Sequence, residues 1–156
     1  MAVFQPWSEA LAAPIIEAKK HMEGATLPVL HALQETFGYI PADAVPMIAE
    51  TLNLSRAEVH GVVTFYHDFR RTPPGRHTLH VCRAEACQAV GGNDLIAHAK
   101  HRLAVDWHET TRDGAITLEP VFCLGLCAVG PAAMLDGQPL ARLTPARFDA
   151  ALEHIS

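Results

Sequence analysis

The sequence predicts an α/β protein in which a small N-terminal helical bundle precedes a domain of mixed strands and helices. Three features of the 156 residues support this prediction. Apolar residues recur at helical spacing through the first 71 residues, a Pro-Pro-Gly segment interrupts the chain at 73–75, and strand-like alternation begins at His77. We therefore expect two domains, a helical bundle at 1–71 and an α/β domain at 76–156.

The first two helices are predicted from apolar spacing and from residues suited to helix ends. One helix is expected between Ser8 and Met22, with Pro14 either in its first turn or at a kink. The next is expected to be capped by Thr26 and to end at Gly38, because glycine readily adopts the left-handed conformation. The apolar residues at helical spacing are Leu11, Ile15, Ile16 and Met22, then Leu27, Leu30, Leu33 and Phe37.

Two further helices complete the predicted bundle. The third is expected to begin at Pro41, and Pro46 fits it only within the first turn. The fourth follows Ser55 and Glu58, which have the spacing of a capping box. The apolar residues of these helices are Val45, Ile48, Ala49 and Leu52, then Val59, Val62, Val63, Tyr66 and Phe69. The simplest interpretation of the fourth-helix aromatics, Phe65 included, is core; an exposed face for a partner subunit is the alternative.

The second half of the chain alternates between strand and helix patterns. A linker at 70–75 precedes a strand, His77 to Cys82, whose Leu79 and Val81 are expected to face the core. The remaining predicted elements are a helix capped within Gly91-Gly92-Asn93, a turn at Asp113-Gly114, a strand from about 115 to 122, a hairpin of 132–135 and 139–143, and a final helix from Thr144-Pro145. This order alone leaves the choice of fold open.

Composition excludes several functions. The formal charge of −5 and the lack of a basic run beyond Arg70-Arg71 argue against a nucleic-acid partner. The N-terminal residues lack the pattern of a secretory signal, and no apolar stretch reaches the ~20 residues that cross a bilayer. We expect a cytoplasmic protein without direct membrane insertion. In that reducing compartment, four cysteines more often bind metal than form disulfides.

The four cysteines form two closely spaced pairs. Cys82 and Cys87 make a C-x4-C motif, and after 35 residues Cys123 and Cys127 make a C-x3-C motif. Structural zinc sites favour the tighter C-x2-C spacing, whereas C-x4-C occurs at two-iron centres. Each pair follows the end of a predicted strand, where loops of an open sheet bind ligands. A cluster, a zinc ion and merely buried or paired cysteines all remain compatible with the spacing.

Other motifs add no second site. The ten histidines are scattered and lack the close cysteine pairing of a Rieske centre, so we interpret them as surface or interface residues. The sequence contains no C-x2-C redox motif, no Gly-rich nucleotide loop and no Ser/His/Asp order that we can defend. The chain itself is therefore not expected to bind NAD.

Several segments together resemble one family. The string from Cys123 to Leu135, CLGLCAVGPAAML, preceded by Cys82-x4-Cys87, is similar to the thioredoxin-like 2Fe-2S ferredoxin subunit of NADH dehydrogenases and their relatives. Upstream segments that resemble the family in the same order are Gln34–Pro41, Val59–Tyr66 and Thr110–Gly114. The resemblance runs from about residue 25 to the C-terminus. It implies a thioredoxin-like domain with one 2Fe-2S cluster, whose ligands are Cys82, Cys87, Cys123 and Cys127.

The resemblance also implies a role. The chain would be an electron-transfer subunit, not catalytic alone, beside a flavin- and NADH-binding subunit. The segments Cys82–Gly92 and Asp136–Pro145 look most like the gamma subunit of soluble NAD-dependent formate dehydrogenases, which would add a molybdenum-containing catalytic partner. The complex I subunit and the diaphorase subunit of bidirectional hydrogenases are the alternatives. A structural zinc module and a dithiol oxidoreductase, which lacks its usual motif, are interpretations from other classes.

Three residues near the cysteines have two interpretations each. Gly125 and Gly130 either let backbone amides approach the cluster sulfurs or only satisfy turn geometry. Glu85 lies inside the first cysteine loop, where its charge either lowers the reduction potential or is simply solvated.

Overall fold

The computed structural model describes residues 4–153 and 155. The chain separates into two compact units, and the boundary lies between Pro73 and Pro74. The first unit contains four helices, α1 (Glu9–Lys19), α2 (Thr26–Phe37), α3 (Ala44–Leu52) and α4 (Arg56–Phe65). The second unit contains a five-stranded sheet and three α-helices. The predicted α/β class, with helices first, is confirmed.

The helices of the first unit surround one apolar core. Both α2 and α4 place their predicted apolar residues toward this core, although Leu27 and Val62 are only half-buried and Tyr66, which follows α4, is exposed. The buried members are Ala12, Ile16, Val29, Leu30, Leu33, Phe37, Ile40, Ala44, Ile48, Ala49, Val59, Val63 and Phe69. Burial of this set is the main source of stability for the bundle.

The first helix is shorter than predicted. It ends at Lys19, because Lys20 and Met22 donate backbone hydrogen bonds to residues only three positions back, to Glu17 and Lys19. Pro14 lies inside the helix, not in its first turn. Leu11 and Met22 are about half exposed, so only the Ile15–Ile16 part of the predicted apolar set packs inward.

Two predicted helix starts were wrong. Thr26 is the first residue of α2, and the capping position belongs to Ala25, which has helical dihedral angles and makes no side-chain cap. Pro41 does not begin α3; its carbonyl accepts the Ala44 amide in a turn that precedes the helix. Pro46 therefore falls in the first turn of α3, where its missing N–H costs no hydrogen bond. The predicted left-handed glycine at Gly38 is confirmed, with φ of 82°.

The capping box at the start of α4 is confirmed. The Ser55 hydroxyl accepts the Glu58 amide at 3.2 Å, and the Glu58 carboxylate accepts the Ser55 amide at 2.8 Å. Both bonds satisfy donors that a helix N-terminus otherwise leaves unpaired.

We expect Ser55→Ala to lower the free energy of unfolding by about 1 kcal/mol, because it removes this cap. The measurement is chemical denaturation followed by helical circular dichroism. Ser8→Ala is the matched control, since Ser8 occupies the same position before α1 but makes no side-chain cap. Equal losses in the two variants would contradict the prediction.

The aromatic residues at the end of α4 divide between core and surface. Phe69 is buried, as the core interpretation predicted, and it lies beyond the helix end at Phe65. Phe65 and Tyr66 are 73% and 43% exposed, so the core interpretation was wrong for both. Their rings pack edge to face at 5.1 Å. This surface pair is compatible with the alternative interpretation, an exposed partner-binding face.

The predicted domain bounds, 1–71 and 76–156, remain a prediction about independently stable units. Arg71, Thr72 and Pro73 are exposed and belong to no helix or strand. We expect limited trypsin digestion to cut first between Arg70 and Thr72 and to leave two resistant fragments. Mass spectrometry of the digest would identify the cut. Rapid loss of either fragment would contradict independent stability.

The second unit is a mixed sheet with helices. Its strands are β1 (His77–Cys82), β2 (Glu109–Thr110), β3 (Ile116–Val121), β4 (Ala133–Leu135) and β5 (Gln138–Leu140). Their order across the sheet is β2-β3-β1-β4-β5. The β1 and β3 strands are parallel, and the other neighbouring pairs are antiparallel. The predicted strands and hairpin are confirmed, whereas the short edge strand β2 was not predicted.

The α-helices described in this unit are α5 (Glu85–Gln88), α6 (Gly92–Leu103) and α7 (Pro145–Leu152), and a short 3-10 helix spans Cys127–Val129. The predicted first position of Pro145 in α7 is confirmed, and α5 is a single turn that sequence spacing did not reveal. Leu79 and Val81 are buried as predicted, together with Leu95, Ala99, Ala115, Ile116, Leu118, Ala133, Leu143, Phe148 and Leu152.

Among the helices that the structure describes, none combines the length and the hydrophobicity needed to cross a bilayer.

Candidate metal centre

The two cysteine loops meet because the strands before them are parallel neighbours. Cys82 is the last residue of β1 and is paired with Val121, the last residue of β3. Two backbone bonds fix the meeting point: the Cys82 amide donates to Ala132 at 3.0 Å, and the Arg83 amide donates to Val121 at 2.9 Å. Cys123 follows Val121 by two residues, so both predicted loops lie at one edge of the sheet.

The first cysteine pair is buried. Cys82 and Cys87 are 3% and 2% exposed and pack against Ala132 in a small apolar cluster. The turn α5 carries Cys87 inward, since the Cys87 amide bonds to the carbonyl of Ala84 at 3.0 Å. Half-buried Leu124 also packs against this cluster, so the second loop covers the first pair.

The second cysteine pair is exposed. The sulfur atoms of Cys123 and Cys127 are 3.6 Å apart. The Gly125 amide donates to the Cys123 sulfur at 3.3 Å. Arg142 donates its backbone amide to Val129 at 2.7 Å, which anchors the end of this loop to the chain after β5.

The environments shift the thiol pKa values in different directions. Burial raises the pKa of Cys87, and hydrogen bonding with Cys82 adds to the rise. The Gly125 amide lowers the pKa of Cys123, whereas hydrogen bonding with Cys123 raises the pKa of Cys127. A metal that binds Cys87 must therefore displace a proton that burial helps to retain.

The glycines near the cysteines serve different purposes. Gly125 has φ of 75°, and a Cβ there would meet no atom within 4 Å, so turn geometry requires this glycine. Its amide nevertheless reaches a sulfur. A Cβ at Gly130 would lie 3.1 Å from the Val90 side chain and 3.4 Å from the Cys87 sulfur, so close packing limits that position. Gly125 therefore satisfies both sequence interpretations, turn geometry and an amide that reaches a sulfur, whereas Gly130 shows close packing against Val90 and Cys87.

Gly92 is a site residue that sequence reasoning missed. A Cβ at this position would lie 2.6 Å from the Cys87 carbonyl oxygen, a distance that real side chains essentially never show. The start of α6 therefore packs directly on the backbone of a cysteine loop. The adjacent glycines at 91 and 92 were a signal of close approach that we interpreted only as a turn and cap.

A cation also borders the site. The Arg83 guanidinium lies 5.7 Å from the Trp107 ring centre and 5.5 Å from that of Phe122. Such contacts hold a cation over the ring face. Glu85, the acidic residue of the first loop, is exposed.

Three histidines pair with carboxylates of the same unit. The distances from ring nitrogen to carboxylate oxygen are 2.6 Å for His77–Asp136, 2.9 Å for His98–Asp149 and 2.6 Å for His108–Glu119. Among residues 4–153 and 155, no three or more His, Cys, Asp or Glu side chains are grouped closely enough to hold a single metal ion, and the four cysteines lie as two pairs.

The donor set fits a two-iron cluster. Such a cluster takes two thiolates on each iron, and the structure supplies two adjacent pairs of free cysteines. The pairs are also near enough that a charge on Cys127 would add to the raised pKa of Cys87, after the larger effects of burial and of Cys82. The Gly125 amide bonds to the Cys123 sulfur and an apolar cluster packs around Cys82 and Cys87, which are features of sites that tune a reduction potential.

Comparison with known proteins identifies a family model. Residues 12–156 match the model described as thioredoxin-like [2Fe-2S] ferredoxin.

Curated relatives match over most of their length. The chain is 35% identical to a subunit of the NADH-quinone oxidoreductase from Escherichia coli strain K12 over 158 aligned positions, which cover 96% of this chain and 95% of the relative. It is 35% identical to HndA, a subunit of the NADP-reducing hydrogenase from Solidesulfovibrio fructosivorans, over 131 positions, which cover 83% and 76%.

A solved structure is also similar. The crystal structure of an NAD+-reducing [NiFe]-hydrogenase in the air-oxidised state aligns with a TM-score of 0.63 at 28% identity. The alignment covers 96% of this chain but only 24% of the hydrogenase chain, so the chain spans about a quarter of that protein's length.

Proposed function

The chain belongs to the thioredoxin-like [2Fe-2S] ferredoxin family, and on this premise we propose that it is the electron-transfer subunit of an NAD-linked oxidoreductase. One observation carries the proposal: four free cysteines lie at the ends of the parallel strands β1 and β3 or in the segments that follow them, at the same edge of the sheet. The family carries one 2Fe-2S cluster. We assign Cys82, Cys87, Cys123 and Cys127 as its ligands, and no residue of this chain as catalytic.

The residues around the cysteines have definable tasks. A bound 2Fe-2S cluster supplies storage for one electron. The Gly125 amide donates to the Cys123 sulfur, and the Arg83 guanidinium lies beside the loops. Both features favour the more negative, reduced state and should raise the reduction potential. Burial of Cys82 and Cys87 excludes water from one side of the site.

The parent complex is proposed from the relatives. Similarity to a subunit of NADH-quinone oxidoreductase and to a subunit of a hydrogenase supports a partner that binds flavin and oxidises NADH. Hydride chemistry then belongs to the partner's flavin, and this chain accepts single electrons. We place the complex in the cytoplasm, a reducing compartment in which four thiols stay unpaired.

A second candidate is the gamma subunit of a molybdenum-containing formate dehydrogenase. The observation that favours it is the sequence of two loops, Cys82–Gly92 and Asp136–Pro145. The relatives described above support the quinone oxidoreductase and hydrogenase alternatives better than this one.

Metal analysis tests the cofactor. Anaerobically purified protein should be brown and contain about two irons and two acid-labile sulfides per chain. A colourless protein with one zinc ion would instead indicate a structural zinc module, and metal-free protein that reduces insulin would indicate a dithiol oxidoreductase.

Purification from the native source tests the parent complex. We expect NADH to reduce the cluster only when a co-purifying flavoprotein is present, as followed by the reduced-state electron paramagnetic resonance signal. A molybdenum-containing subunit in the same fraction, together with reduction by formate, would favour the formate dehydrogenase candidate. A cluster that no co-purifying flavoprotein reduces would refute the proposed function.

A further inference from the structure

We propose that Trp107, which belongs to neither cysteine loop, is a positioning residue that sets the reduction potential of the cluster by holding the Arg83 guanidinium beside those loops. Arg83 directly follows Cys82, whereas Trp107 lies in the turn before β2. The inference rests on the proposed function and deepens it, because it names how the potential of that site is controlled.

The backbone of Arg83 is fixed between the two cysteine loops. Its amide donates to the carbonyl of Val121, the last residue of β3, at 2.9 Å. Its carbonyl accepts a hydrogen bond from the Gln88 side chain of α5 at 2.7 Å. The side chain therefore starts from a fixed point, and its rotamer alone decides where the charge lies.

Two aromatic rings select that rotamer. The central carbon of the Arg83 guanidinium lies 5.5 Å from the centre of the Phe122 ring and 5.7 Å from that of Trp107. Both distances are within the ~6 Å at which a ring face attracts a cation. Phe122 is 72% exposed, whereas Trp107 is half-buried and packs against the apolar core of the second unit. Trp107 is therefore the ring that the fold holds in place.

Contacts outside the cysteine loops hold Trp107 itself. Its backbone amide donates to the Asp106 carboxylate at 2.6 Å, and the same carboxylate forms an ion pair with Lys100 of α6. The Lys100 ammonium also lies 4.7 Å from the centre of the Trp107 ring. The position of the ring is thus determined by α6 and the turn after it.

The charge of Arg83 is held by rings and is not neutralised by a carboxylate. In the part of the chain that the structure describes, Arg83 forms no ion pair, whereas Lys100 is paired with Asp106. An aromatic ring binds a cation without cancelling its charge, so Arg83 keeps a full positive charge beside the loops. Reduction adds one electron to a cluster, and an uncompensated cation nearby favours that state.

Loss of the Trp107 ring would weaken this effect without removing the charge. Arg83 is exposed, and Phe122 would be the remaining ring in contact with it. The guanidinium would then gain rotamer freedom and hydration, so its average position would be farther from the sulfurs and more screened by salt.

The test is a redox titration of the cluster-loaded full chain at low salt, followed by the reduced-state electron paramagnetic resonance signal. It compares variants at the solution potential that reduces half of the wild-type cluster. We expect Arg83→Gln to lower the ratio of reduced to oxidised cluster about fivefold, equal to about 40 mV for one electron. Trp107→Leu should lower the same ratio about threefold, because the charge remains but is no longer held.

A double variant separates positioning from a direct effect of the ring. If Trp107 acts through Arg83, the variant Arg83→Gln/Trp107→Leu should match Arg83→Gln alone, since no charge is left to position. Independent effects would multiply to about fifteenfold and would overturn the proposal. An unchanged potential in Trp107→Leu would overturn it as well.

Two control variants bracket the effect. Trp107→Phe keeps a ring face and should stay near the wild-type potential, and a loss as large as that of Trp107→Leu would contradict the role of the ring. Arg112→Gln removes an exposed charge on the turn between β2 and β3 and should leave the potential unchanged. The six-residue strand β3, about 20 Å long, separates that turn from the cysteine end of the sheet.

Iron content and the visible spectrum identify a variant that has lost its cluster. If Trp107→Leu does so, Trp107→Met takes its place, because methionine fills more of the space without a ring face. If NADH and the co-purifying flavoprotein fail to reduce the wild-type cluster, the proposed function fails. If wild type is reduced and Trp107→Leu titrates as wild type does, only the positioning role fails.

Discussion

Cys87→Ser is expected to remove most of the reduced-state electron paramagnetic resonance signal and to lower the iron content at least about tenfold. Changes to groups that merely support metal ligands already cost about 10–100-fold in affinity, and Cys87 is proposed as a ligand itself. A serine oxygen is also a harder, less suitable ligand for the cluster irons than a cysteine sulfur. It would in addition place a polar atom in the apolar pocket beside Cys82 and Ala132. Iron analysis and the spectrum of dithionite-reduced protein measure the loss.

Cys123→Ser should have the smaller effect of the two. Cys123 is exposed, so water can solvate a serine oxygen and some cluster should remain, with an altered signal. Ala86→Ser is the matched control, because it adds a hydroxyl at an exposed position beside Cys87. Helical circular dichroism should stay close to wild type in all three variants, since α1 to α4 contain no cysteine. An unchanged signal in either cysteine variant would show that the ligands are misassigned.

Local signals in the sequence predicted those parts of the fold that depend on neighbouring residues. The Ser55–Glu58 capping box and the left-handed Gly38 are both completed within a single turn of chain. Thr26 and Pro41 also suit helix ends, yet Ala25 occupies the cap position of α2 and α3 begins at Ala44. Several residues can satisfy a helix end, and tertiary packing decides which one does.

The surface position of Tyr66 could not be predicted from spacing. An apolar stripe predicts one buried face only as long as the helix continues. Here α4 ends at Phe65, and Tyr66 has extended backbone angles, φ of −88° and ψ of 107°. The chain therefore leaves the helical register, and Phe69 reaches the core by a different path.

The candidate site was predictable to the extent that strand ends determine it. Alternation in β1 and the turn before β3 located Cys82 and Cys123 at the ends of two strands, and the parallel pairing brings their loops together. The contact between Gly92 and Cys87 depends instead on how α6 packs onto α5. Spacing carries no information about the distance between a backbone carbonyl and a residue five positions later.

Gly92→Ala is expected to destabilise the second unit, because the added methyl group would overlap the Cys87 carbonyl. The neighbouring atoms are backbone, 2.6 Å from O and 2.7 Å from C, so no side chain can rotate away. Overpacking of this kind costs roughly 1–3 kcal/mol, which exceeds the gain of up to about 1 kcal/mol that alanine brings to a helix. The shift should also displace Cys87 and weaken the cluster site. We expect the thermal midpoint, followed by cluster absorbance, to fall by about 10 °C.

The same substitution at Gly61, Gly61→Ala, is expected to raise stability instead of lowering it. Gly61 lies inside α4, and a Cβ there would meet no atom within 4 Å. Only the helix-propensity gain then applies, so the bundle should become more stable by about 0.5–1 kcal/mol. Asn93→Ala, at the exposed next position of α6, controls for a change in that helix. If Gly92→Ala keeps full iron content and the wild-type midpoint, α6 does not hold Cys87 in place, and the cysteine loop is positioned by β1 and α5 alone.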